Sequence, residues 1–84
     1  MKYGYTIADA ASRKVFEDAV PFIIEKLHYE PNGDVLEDVD GSLIQKFTGN
    51  DGSLILESIT DVDCVAIISD IELPITCLHK WTQS

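Results

Sequence analysis

Ser42-Leu43-Ile44-Gln45-Lys46-Phe47-Thr48-Gly49-Asn50-Asp51-Gly52-Ser53-Leu54-Ile55-Leu56-Glu57-Ser58-Ile59 sets two apolar-rich runs on either side of a glycine-bounded tetrapeptide. Glycine, asparagine and aspartate at such a position close a β-hairpin, and the flanking runs are of strand length. Downstream, Thr60-Asp61-Val62-Asp63 reads as a second turn. Cys64-Val65-Ala66-Ile67-Ile68 is then apolar on both alternating sets, as expected of a central strand covered on both faces. Upstream, Val35 to Asp40 fits a short edge strand whose charges discourage unwanted pairing.

Further toward the N-terminus the period changes. Ala11, Val15, Ala19, Ile23 and Leu27 fall four apart, with Phe16, Val20 and Ile24 widening the same stripe, which predicts an amphipathic helix. Asp9 or Ser12 can cap its start by accepting a bond from an unpaired backbone N–H. Pro21 lacks the N–H that would bond the carbonyl four residues back, so a kink is expected there, with the apolar stripe continuing in phase to Leu27. The helix should end near His28, before the turn formers of Tyr29-Glu30-Pro31-Asn32-Gly33. Tyr3, Tyr5 and Ile7 alternate with Gly4 and Thr6 as a first strand. The last segment, 73–82, reads equally as a short helix opened by Pro74 or as a strand through Ile75, Cys77, His79 and Trp81. The expected fold is α+β, a two-layer sandwich of order β-α-β-β-β, with one helix on an antiparallel meander. One helix covers one face of such a sheet, so the other needs a C-terminal segment or a second copy.

At 84 residues the chain has room for one core and one domain, 1–84. Its apolar fraction of 45% and mean hydropathy of +0.05 are those of a packed protein, not a disordered one. No run approaches a membrane span, and the opening residues lack the apolar core of an export signal. Cytoplasmic location with two free thiols, Cys64 and Cys77, is the expectation. The net charge of −9 is unevenly placed: residues 1–27 hold four acids against four bases, leaving eleven acids against Lys46 and Lys80 for the rest. Such a surface repels phosphate backbones and anionic membranes and attracts basic proteins.

Chemical motifs are sparse. Glu37-Asp38-Val39-Asp40-Gly41 and Asn50-Asp51-Gly52 look like pieces of calcium loops, yet with Gly41 at the sixth position of a twelve-residue loop, Leu36 and Phe47 would fall at ligand positions. His28, His79, Cys64 and Cys77 are scattered singles without metal-ligand spacing, and no activated nucleophile accompanies them. Asp61 and Asp63 could do acid-base work only in a pocket. No phosphate-cradling glycine loop is present, so neither cofactor nor metal is expected.

Two function classes follow. In the first, the chain is a non-enzymatic acidic interaction module of the immunity, antitoxin or inhibitor kind, with Glu37, Asp38, Asp40, Asp61 and Asp63 facing a basic partner and Trp81 as an aromatic anchor. In the second, it is a homodimer with a small-molecule or catalytic site between subunits, where Tyr3, Tyr5, Cys64 or His79 would stand at the mouth.

Overall fold

In the computed structural model, which describes residues 3–73, the alternating runs become an antiparallel sheet with one helix packed on it. The elements are β1 (Tyr3–Ala8), α1 (Arg13–Lys26), β2 (Glu30–Pro31), β3 (Leu36–Glu37), β4 (Leu43–Thr48), β5 (Ser53–Ile59) and β6 (Cys64–Ser69). The sheet runs β1-β6-β5-β4-β2, with β3 also pairing with β4. The consecutive hairpins β4-β5-β6 form its centre, and β1 adds to the far side of β6. The helix lies over β5 and β2.

Strand periodicity divides this sheet into two unlike faces. Toward the helix point Leu43 and Phe47, Leu54 and Leu56, Val65 and Ile67, all fully buried. Phe16, Ala19 and Ile23 of α1 complete the core from above. A β-bulge between Thr6 and Ala8 shifts the β1–β6 register, and Ile7 at that point is buried. Fully burying a Leu, Ile or Phe stabilises by about 1.5–3 kcal/mol each, so this face carries the fold. The serines buried with it are paired: the Ser42, Ser58 and Ser69 hydroxyls each accept a backbone N–H, from Thr60, Ser12 and Ile71.

The opposite face carries no helix among the described residues. Cross-strand rows place Lys46, Ile55, Ile68 and Gly4 side by side, and next to them Leu36, Ile44, Glu57, Ala66 and Thr6. Strand β6 is central, as its sequence implied, but only Val65, Ile67 and Ser69 are buried. Cys64, Ala66 and Ile68 stay half-exposed because nothing among the described residues is stacked on them.

The helix starts on Ser12, whose Oγ accepts the Val15 N–H at 3.2 Å, so Ser12 rather than Asp9 is the cap. It continues through Pro21, which lies on its exposed side, and ends at Lys26, just short of the expected His28, which turns into the left-handed region (φ 61°). The order departs from β-α-β-β-β by two short strands. Glu30–Pro31, read from sequence as turn, pairs with the outer side of β4, where a proline is tolerated because only one edge is used. The edge strand expected from Val35 to Asp40 contracts to Leu36–Glu37, because the chain turns at Asp38 with the Gly41 N–H donating to the Asp38 carbonyl. Of the closing segment 73–82, only Leu73 is described; it is buried on the helix side, its N–H donating to the Tyr5 hydroxyl at 2.9 Å. Trp81, Cys77 and His79 lie outside the described residues.

Candidate protein-interaction surface

Three connections meet at one end of the sheet: the loop from β1 into α1, the β3–β4 turn at 38–41 and the β5–β6 turn at 60–63. They are stitched together by hydrogen bonds between residues far apart in sequence. The Thr60 hydroxyl donates to the Asp40 carbonyl at 3.1 Å, and the Thr60 N–H to Ser42 Oγ at 3.1 Å. The Ala11 N–H donates to Asp63 Oδ1 at 2.9 Å, and the Ser12 N–H to Ser58 Oγ at 3.1 Å. Arg13 Nη2 meets Glu37 Oε1 at 2.7 Å across the remaining gap.

All five carboxylates singled out from the sequence therefore fall at this end, and all are exposed. Their surroundings differ. Glu37 is already paired with Arg13, although both remain more than half exposed and a surface pair of this kind contributes little. Asp38 Oδ1 accepts the Val39 N–H at 2.7 Å, and Asp40 Oδ1 accepts the Ser42 N–H at 2.9 Å. The Ser42 backbone N–H, and after it the Ser42 side chain, hold the Asp40 carboxyl below the ordinary carboxylate range. Asp63 adopts a left-handed backbone (φ 52°), which aspartate tolerates better than most residues, and spends one oxygen on the helix entry. Asp61 makes no side-chain hydrogen bond or ion pair among the described residues. An ionised carboxylate accepts up to about four hydrogen bonds, so each of the five keeps capacity for a donor from outside.

The sequence reading missed the apolar part of this surface. Val39 and Val62 sit at the tips of the two turns, fully exposed and 67% exposed respectively, and Leu36 of β3, shortly before Val39, is 63% exposed. Their sequence signal was present, a β-branched residue between two aspartates in Asp38-Val39-Asp40 and Asp61-Val62-Asp63, but strand alternation accounts for such a pattern equally well.

Of the groups weighed for catalysis or metal binding, those among the described residues are not brought together. Cys64 begins β6 on the uncovered face, whereas Tyr5 faces the helix side and His28 follows α1 at the other end of the sheet. Among the described residues no group of three or more His, Cys, Asp or Glu side chains is placed to hold a metal ion. The two turns that look like pieces of calcium loops, 38–41 and 49–52, occupy opposite ends of β4. A groove of about 380 Å³ lined by Lys26, His28, Tyr29, Asp51 and Leu73 opens at the end remote from the acidic turns. No helix among the described residues is long and apolar enough to cross a membrane. No protein-family model, curated protein or solved structure matches the chain.

Proposed function

We propose that this chain is a non-enzymatic interaction module that uses its acidic end to bind a protein with a basic surface, in the manner of an immunity, antitoxin or inhibitor protein. The observation that carries this is the joining of the 38–41 and 60–63 turns, which sets two exposed valines among carboxylates. Valines supply dry contact area; carboxylates steer a cationic partner and fix its orientation. Lys and Arg donors can reach Asp61 without breaking any bond within the described fold, and Asp38 and Asp40 through their remaining lone pairs. Direct nucleic-acid binding and anionic membranes are disfavoured by the same charge. Trp81, an aromatic anchor by residue type, lies outside the described residues. On sequence grounds we also assign a cytoplasmic setting, in which Cys64 remains a thiol, and a bend of α1 at Pro21.

The test is capture from lysate at low and moderate salt, with the partner identified by mass and its isoelectric point noted. Bait variants are D38N/D40N/D61N and V39S/V62S, each first checked for native circular dichroism. One basic protein held by the native chain, lost at moderate salt and lost with either variant, is the expected result. A partner retained equally by both variants would place the binding surface elsewhere.

A further inference from the structure

The uncovered face of the sheet is apolar, nearly neutral and self-complementary. Within β1, β4, β5 and β6 the only charged residues are Lys46 and Glu57, one of each sign, in a chain whose net charge is −9. Both stand on this face, with Glu30 of β2 at its margin beside Thr48. Neither Lys46 nor Glu57 takes part in an ion pair among the described residues. From this we infer that a second copy of the chain docks here, with Lys46 of each copy meeting Glu57 of the other.

The register makes the pairing specific. Ile44 pairs with Glu57 and Lys46 with Ile55, so these four side chains form the corners of one rectangle between β4 and β5, with Lys46 and Glu57 on one diagonal and the two isoleucines on the other. Its sides are about 4.8 Å across the strands and about 6.8 Å along them, so the diagonals cross at about 70°. A two-fold axis lying between the sheets along the isoleucine diagonal sets Ile44 against its own copy and Ile55 against its own copy. The same rotation brings Lys46, in projection, to within about 3 Å of the other copy's Glu57 twice over, an isologous contact in which neither of these two charges faces its like.

Charge selects a second copy as the occupant. Two molecules of net charge −9 repel over most of their surfaces, and this face is where approach meets least opposition. Its one base and one acid are also placed to satisfy each other across a two-fold axis, which a partner of uniform charge could not do. Leu73, the last described residue, is buried on the helix side and held to Tyr5, in the layer remote from this face. Four strands of about 20 Å set about 4.8 Å apart offer roughly 400 Å² per copy. That is about half of the ~800 Å² per partner of a standard stable interface, so the dimer is weak and concentration-dependent.

Sedimentation equilibrium of the full chain from micromolar to millimolar concentration tests this, with circular dichroism checking each variant's fold. The native chain is expected to move from 9.3 kDa toward twice that mass. Lys46→Glu and Glu57→Lys should each lose the shift, because each homodimer then faces two like-charge contacts. An equimolar mixture of the two variants should regain it, although both chains remain acidic. In the mixed dimer one contact sets the introduced acid against the introduced base, and the other sets the retained Glu57 of one chain against the retained Lys46 of the other. Effects inside one chain cannot be restored by mixing. A chain that stays monomeric at every concentration overturns the proposal, whatever covers the face instead. So does a dimer indifferent to both single variants, as pairing through the outer edge of β1 would give.

Discussion

Gly49 shows how a residue's role depends on what stands next to it. In sequence it is a turn former, and its N–H does close the β4–β5 turn onto the Gly52 carbonyl at 2.8 Å. Its backbone is not left-handed, however, so conformational freedom is not what requires glycine. A Cβ there would stand 2.9 Å from two ring carbons of Tyr29, which is buried. Gly49→Ala should therefore destabilise by about 1–3 kcal/mol, the usual cost of overpacking, measured as a lower urea midpoint at unchanged slope. Tyr29→Phe keeps the ring but removes a buried hydroxyl that finds no hydrogen-bond partner among the described residues. Its stability should be unchanged or higher by up to about 1 kcal/mol. A neutral Gly49→Ala would mean that the ring yields freely.

Among the elements, α1 departs most from local preference. Pro21 is its ninth residue, well inside the hydrogen-bonded region, and leaves the Glu17 carbonyl without its helical donor. Because Pro21 is exposed, water can satisfy that carbonyl, and the buried side through Phe16, Ala19 and Ile23 keeps the helix in place. Pro21→Ala should raise stability by about 1–3 kcal/mol, read as a higher thermal midpoint. A lower midpoint would show that the shape proline imposes is needed by the packing beneath it. Strands β4 and β5 were legible because six or seven residues at a period of two leave a clear signal. Strand β2 was not, and β3 was legible only as part of a longer edge strand, since two residues carry no period and each exists only by pairing with the outer edge of β4.

The whole molecule separates its two proposed contacts by position and by electrostatics. Binding of a basic protein at the acidic turns gains from opposite charge, so added salt should weaken it. Self-association through the neutral face is opposed by the net −9 on each copy, so salt should strengthen it from low ionic strength upward, despite some loss from the two Lys46–Glu57 contacts. Titration of the full chain by sedimentation, beside partner capture across the same salt series, should show slopes of opposite sign. Slopes of the same sign would mean that the two contacts share a surface or that charge does not govern one of them.

The sequence by itself determined the α+β class, the amphipathic stripe of α1, the β4–β5 hairpin and the concentration of acid after residue 27. These are local patterns: a period of 3.6 or 2, a glycine-bounded turn and a count of charges need no knowledge of distant partners. Only the tertiary structure decided that Thr60 meets Asp40, that Asp63 holds the entry to the helix, and that Lys46 shares one face with Glu57. The physical reason is that those contacts depend on strand order and register. Both are set by which sheet arrangement buries Phe47, Leu54, Leu56 and Ile67 together beneath one helix, a sum over the whole chain that no single stretch of it contains.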